Sequence, residues 1–254
     1  MRDRPARSAR FHIDSQLREG LRLDLPHEAA HHAARVLRLR AGDEIVLFDG
    51  RGGEFPARIE AIERSRVAVS VGTHRAVERE SPLEVTLLQG VSSGERMDVT
   101  VQKAVELGVR AIQPVLAEKS VVKLDAERSD AKREHWRRIA ISACEQCGRN
   151  RIPEVRPVMR LDEAARQLSP AGLRLLLSPH GGTRLRDALA GGGSGIAERE
   201  IALAIGPESG FSAGEEAQLV AAGFSAVRLG PRVLRTETAA SAALAALNAL
   251  AGDF

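Results

Sequence analysis

The 254 residues predict two successive domains: a small β-rich one with a single helix, then a larger α/β one built on a largely parallel sheet. Three observations carry this expectation. Short β-rich runs punctuated by glycine occupy the first seventy or so residues, and the polar stretch THRAVERESP at 73–82 breaks that pattern. From Leu83 onward, apolar strand-like runs alternate with amphipathic segments of helical period. Placing the boundary in the polar stretch gives domains of 1–76 and 77–254.

In the first domain, RFHI (10–13), LRLDLP (21–26), DEIVLFD (43–49) and FPARIEAIERSRVAVSV (55–71) have the β-branched and aromatic content of strands, with Gly50, Gly52 and Gly53 as punctuation. HEAAHHAARVLRL (27–39) follows Pro26 with apolar residues at helical spacing. A small barrel with one helix is expected. In the second domain the strands are EVTLLQGV (84–91), AIQPVL (111–116), LRLLLS (173–178), IALAI (201–205) and AVRL (226–229). The helices between and after them are 97–108, 129–149, 161–168, 212–223 and 237–250, and GGGSG at 191–195 reads as a surface turn.

Composition narrows the function classes. The chain is 43% hydrophobic and 28% charged, with no apolar run near the ~18 residues a span needs and no charged-then-apolar leader, so a cytoplasmic chain without a membrane partner is expected. Two cysteines exclude a disulfide framework, and Cys144-x-x-Cys147, in a helical stretch without two further ligands, reads as a pair of buried small residues. His31-His32 lacks a third ligand at metal spacing, so no metal is expected. Trp136 reads as the anchor of its helix to the sheet. Residues 1–40 hold nine arginines against five acids, a local excess of four in a chain whose net charge is +3. Such a basic end suits phosphate backbones, although solvated arginine explains it equally.

Two loops concentrate the chemistry. AIGPESGFSAGEE (204–216) and LGPRVLRTETAASAALAAL (229–247) each set a strand-like run against a Gly-Pro turn and then open a helix. Ligands of open α/β sheets bind outside the carboxyl ends of strands, so both loops should reach one edge. Gly206 and Gly210 permit close main-chain approach, Pro207 stiffens the turn, and Ser212 with Glu215 has capping-box spacing. No dinucleotide or nucleoside-triphosphate glycine pattern is present, and the centre of GPESG is Glu208 rather than a nucleophilic serine. Arg235, Thr236 and Glu237 cluster where the last helix begins, a position that favours an acid. Gly-Pro turns also join α/β elements with no ligand at all, and Thr236 reads equally as a cap.

Five segments in matching order resemble the ribosomal RNA small subunit methyltransferase E family of SPOUT methyltransferases, over nearly the whole chain: VLRLRAGDEIVLFDG (36–50), KAVELGVRAIQPV (103–115), ACEQCGRNRIPEV (143–155), GPESGFSAGEE (206–216) and LGPRVLRTETA (229–239). The resemblance implies a PUA-like RNA-binding β-barrel over 1–76 and a SPOUT domain with a deep trefoil knot over 77–254, acting as a homodimer. Periodicity gives no hint of a knot, because chain connections are almost always unknotted. S-adenosylmethionine is the implied methyl donor. The residues implied to hold it are Leu177, Ser178 and Pro179, then Ile205, Gly206, Pro207, Glu208 and Gly210, then Leu229, Gly230, Arg232, Leu234, Arg235 and Thr236. The implied reaction methylates N3 of a uridine in 16S ribosomal RNA of the small subunit. Two positions depart from the family pattern. Ser209 replaces the second of two paired glycines, which is tolerated if φ is negative there, and His180 stands where an acid is frequent.

Uracil N3 carries a proton and is a poor nucleophile until that proton leaves, so stabilising the anionic base should supply much of the gain. Arg235 is the leading candidate for that task, with an ion pair to Glu237 or Glu208 as its alternative role. Glu106, Gln146 and Arg149 are polar residues in the motif segments, suited to the pocket or to a dimer seam. The catalytic set is thus Arg235, Glu237 and Glu106, and no residue stands out as a general base. Arg10, Arg35, Arg38, Arg40 and Arg149 are the candidate RNA contacts. Two other readings remain open at this point: a SPOUT methyltransferase with another RNA target, and a non-catalytic RNA-binding ribosome-assembly factor.

Overall fold

The structure, a computed structural model, describes residues 8–64, 66–120, 125–169, 172–180, 182–190 and 200–254, and the expected Gly-Ser turn at 191–195 lies outside them. Two compact units emerge: Met1–Glu80 with Cys144–Ile152, and Ser81–Ala143 with Pro153–Phe254. No pattern in the sequence signals that 144–152 returns to the first unit.

The first unit comprises β1 (Arg10–His12), β2 (Arg22–Asp24), α1 (His27–His31), β3 (Glu44–Phe48), β4 (Phe55–Glu63) and β5 (Arg66–Val71). Its strands form one mixed sheet in the order β1-β3-β4-β5-β2, with β1 parallel to β3 and the other pairs antiparallel. The expected barrel is therefore a five-stranded open path, in which β1 and β2 do not pair among the described residues. Alternation along β5 turns Val67, Val69 and Val71 inward, where they meet Phe11, Ile45, Leu47 and Ile59, with Ala30 and Ala33 closing the core from the helical side. The stretch 55–71, read as one β-rich run, is a hairpin that reverses near Arg64, at φ 47°. The helix read over 27–39 also differs: α1 passes into a π-helical turn, His32–Val36, in which the Leu37 N–H donates to the His32 carbonyl at 2.9 Å.

An ionic network fastens the 144–152 return to this unit. The Arg10 guanidinium donates to Glu54 Oε2 at 2.6 Å and to Asn150 Oδ1 at 2.5 Å, and its carbon lies 5.1 Å from the centre of the Phe48 ring. Arg79 donates to the same Glu54 oxygen at 3.2 Å and to the Gly148 carbonyl at 3.0 Å. Arg149 takes Glu80 Oε2 with Nε and Nη2, at 3.0 and 2.5 Å. Cys144 is buried, and burial pushes its thiol up to about 12, so it stays protonated and behaves as a small packing group.

Among its described residues the second unit carries eight strands: β6 (Glu84–Gly90), β7 (Ala111–Leu116), β8 (Glu154–Val155), β9 (Met159–Arg160), β10 (Leu173–Leu177), β11 (Thr183–Arg184), β12 (Glu200–Ile205) and β13 (Ser225–Arg228). Its helices are α2 (Glu95–Glu106), α3 (Ala126–Cys147, ending in the first unit), α4 (Leu161–Arg166), α5 (Leu185–Ala190), α6 (Ala213–Ala221) and α7 (Thr236–Ala251). The order is β11-β13-β10-β12-β6-β7-β8, with β9 also on β7, and every pair is parallel. β12 and β7 are buried at five successive residues each rather than at alternate ones, as strands of a sheet covered on both faces are. Leu88, Val115, Leu176 and Ala204 pack against Leu161 and Ala164 of α4 and Leu219 of α6. Trp136 of α3 is 1% exposed, as befits an anchor. α7 is tied down near its end, where Asn248 donates to the Leu107 carbonyl at 2.8 Å and accepts from the Ser81 hydroxyl at 2.8 Å.

Candidate active site

Three adjacent strands, β13, β10 and β12, end on the same edge of the sheet, and the segments that follow them meet around one cavity of about 640 Å³. The walls come from 177–180, 205–211 and 228–237, with Arg96, Lys119, Ala213, Glu216 and Ala239 completing them. This is where a parallel sheet exposes main-chain groups that no further strand can use. Every residue predicted for the donor lines it: Leu177, Ser178, Pro179, Ile205, Gly206, Pro207, Glu208, Gly210, Leu229, Gly230, Arg232, Leu234, Arg235 and Thr236.

Local chemistry shapes each wall. The capping box is present: Ser212 Oγ accepts from the Glu215 N–H at 3.1 Å, and Glu215 Oε2 accepts from the Ser212 N–H at 2.7 Å, which starts α6 directly behind the loop. Glycine at 206 is needed for space, because a Cβ there would lie 2.8 Å from the Phe211 nitrogen. A Cβ at Gly230 would meet nothing within 4 Å, so that stretch of main chain stands bare to the open volume. Thr236 does not cap α7. Its hydroxyl donates to the Gly206 carbonyl at 2.7 Å and accepts from Gln89 Nε2 at 2.9 Å, joining the two Gly-Pro loops to the end of β6. Both Thr236 and Gln89 are buried, so these bonds are shielded from water.

Glu208 accepts from the Ser93 N–H at 2.8 Å, the Ser93 hydroxyl at 2.7 Å and Arg96 Nη1 at 3.0 Å. Burial opposes its ionisation, but hydrogen bonds from its own main chain and from Ser93, with the Arg96 charge behind them, outweigh that cost and hold the carboxyl below the usual carboxylate range. Glu208 is therefore engaged elsewhere, and Arg235 forms no ion pair with it or with Glu237 among the described residues. That removes the alternative role for Arg235 and leaves an exposed guanidinium facing the cavity. Glu237 also lines it, with Oε2 enclosed and unpartnered among the described residues. The Ser209 φ is not positive, which meets the condition for a side chain there, and its hydroxyl donates to the Lys119 carbonyl at 2.9 Å. His180 stands on the wall, its N–H 3.4 Å from Ser178 Oγ.

Other predicted residues lie elsewhere. Glu106 sits at the end of α2, takes Lys103 Nζ at 2.9 Å and does not reach the cavity. Gln146 and Arg149 do not line it either. Arg10 and Arg149 are corrected as RNA contacts: their side chains are 9% and 5% exposed, and their charges are spent on Glu54 and Glu80. Arg35, Arg38 and Arg40 are exposed, beside the likewise exposed Val36 and Leu37. The sequence reading missed Arg96 and Lys119. Both follow carboxyl ends of parallel strands, β6 and β7, so the rule that singled out the Gly-Pro loops could have found them.

Cavity, loops and strand order define an RNA methyltransferase: the chain matches the RNA methyltransferase domain over residues 79–248 and the RNA methyltransferase PUA domain over 25–72. It belongs to the ribosomal RNA small subunit methyltransferase E family. It is 32% identical to the Buchnera aphidicola (strain APS, from Acyrthosiphon pisum) ribosomal RNA small subunit methyltransferase E, across 96% of this chain and 94% of the relative. The Bacillus subtilis (strain 168) member is 30% identical across 92% of each chain. Among solved structures, ribosomal RNA small subunit methyltransferase E from Neisseria gonorrhoeae, bound to S-adenosyl methionine, superposes with a TM-score of 0.88 at 41% identity, covering 97% of this chain and 99% of that one. A Legionella pneumophila methyltransferase in complex with its bound cofactor SAM gives 0.90 at 42% identity, covering 98% and 100%.

Proposed function

We propose that this protein transfers a methyl group from S-adenosylmethionine to N3 of a uridine in 16S ribosomal RNA of the small subunit. The observation that carries the reading is the convergence of three strand ends on one cavity whose wall is bare main chain at Gly230 and includes Arg235 among its unpaired guanidinium groups. Its volume lies within the ~300–1,000 Å³ of ordinary small-molecule sites. The donor supplies an electrophilic methyl carbon on a sulfonium. Ser178, Gly206 and Gly230 would hold it through main-chain groups, and the loop geometry is stiffened by Thr236 and Glu208. Arg235 would place a positive charge beside the uracil carbonyls, favouring the deprotonated base. The base must leave its stack to reach the cavity, so shape and phosphate contacts bring the RNA while the cavity reads uracil. Arg35, Arg38 and Arg40 on the first unit are the proposed contacts of the PUA-like domain.

The knot and the homodimer belong to the same reading. The Thr236–Gly206 bond draws the final loop against the one after β12, as threading would require, and the exposed apolar residues Val99 of α2 and Leu250 of α7 suit a subunit seam. No described helix is long and apolar enough to cross a membrane, and the proposed work on ribosomal RNA would be done in the cytoplasm. Mass mapping of 16S RNA from a deletion strain, with and without the restored gene, tests the function. One unmethylated uridine that regains a base methyl on complementation is the expected result; RNA unchanged between the strains overturns it.

A further inference from the structure

The cavity carries more positive charge than its proposed donor can use. Among the described residues five cations line it, Arg96, Lys119, Arg228, Arg232 and Arg235, against Glu208, Glu216 and Glu237. Arg96 is taken by Glu208, and the other four have no acidic partner among the described residues. S-adenosylmethionine itself bears a sulfonium and an ammonium and only one carboxylate. One cation satisfies that carboxylate, and further cations beside a positively charged donor repel it unless an anionic partner arrives with it.

Lys119 is held for such a purpose. The turn 117–120, just after β7, is fastened from three directions: the Glu118 N–H donates to Glu215 Oε1 at 2.8 Å, the Lys119 carbonyl accepts from Ser209 Oγ at 2.9 Å, and Ser120 Oγ donates to the Val91 carbonyl at 3.0 Å. A turn anchored at three successive residues carries an exposed side chain with an unpaired ammonium among the described residues. The three free arginines come from β13 and the loop after it, four places along the sheet from β7. At ~4.8 Å per strand, those two elements are about 19 Å apart, with the ends of β10 and β12 between them. Cations thus bracket the cavity on two sides.

Resting on the function proposed above, we infer that Lys119 binds a backbone phosphate of the substrate RNA next to the target nucleotide, on the β7 side of the cavity. Ser209 and Glu215 act as positioning residues for it. A flexible lysine suits this task as a point charge, whereas a donor carboxylate would be better served by a guanidinium fork.

The test compares wild type, Lys119→Gln and Lys119→Arg, using calorimetry with S-adenosylmethionine and binding to unmethylated small subunits at several salt concentrations. Lys119→Gln should leave donor affinity within about twofold, weaken subunit binding several-fold, and lower the slope of log affinity against log salt by about 0.7–0.9, one phosphate's worth. Lys119→Arg should restore the slope. An unchanged slope in Lys119→Gln overturns the inference, as does loss of donor binding in that variant, which would assign Lys119 to the donor carboxylate. Wild-type protein that binds neither donor nor subunit overturns the proposed function as well, an outcome distinct from both.

Discussion

Arg235 and Glu208 share a cavity wall and differ in what holds them. Glu208 is saturated by Ser93 and Arg96, while Arg235 has no acidic partner among the described residues and faces the open volume. A guanidinium left free beside a reacting base is free to stabilise the charge that develops on it, and removing such a donor costs about 10²–10³ in rate. Arg235→Ala is therefore expected to reduce kcat by about 10²–10³ with donor affinity retained, as read by single-turnover methylation alongside calorimetry. Wild-type turnover by that variant would assign the work elsewhere. Both residues were visible as motif positions in the sequence. Which of them was already paired was not, since Ser93 and Arg96 lie more than a hundred residues from Glu208 along the chain.

At the scale of elements, the 206–210 loop is held at both ends. The capping box of α6 secures the end after Gly210, and Thr236 secures the Gly206 carbonyl. In between, Glu208 contributes in a pH-dependent way. Its folded pKa is depressed, so its contribution is present above the ordinary carboxylate range and is lost as pH falls through the lowered pKa. Donor affinity measured by calorimetry should hold through the ordinary carboxylate range and fall only on acidification below it. Glu208→Gln should show weaker donor binding at neutral pH and a flattened acid response, whereas an acid limb identical to wild type would exclude Glu208 as its source. Local patterns announced the box, because Ser and Glu three apart before a helix act within one turn. They did not announce the hairpin inside 55–71 or the π-helical turn after α1.

For the whole molecule, the first unit depends on charges enclosed within it. Arg10 answers Glu54 and Asn150, and the Arg149–Glu80 pair lies in the same return. Breaking one partner of a buried pair strands the other and costs about 3–5 kcal/mol. Arg10→Gln should accordingly lower the midpoint of thermal unfolding while leaving the salt dependence of RNA binding at its wild-type slope. A reduced slope with an unchanged midpoint would return Arg10 to the RNA surface. The alternation of apolar and amphipathic runs by itself determined an α/β unit preceded by a small β-rich one, and the Gly-Pro turns by themselves marked the edge where the cavity lies. Strand period, helix period and turn chemistry act over a few residues, so they can be read in order along the chain. Only the tertiary structure decided which arginines are buried and which are free, that 144–152 returns to the first unit, and that Lys119 reaches the cavity. Each of those outcomes depends on contacts between residues far apart in sequence, and such contacts exist only once the sheet has set its strand order.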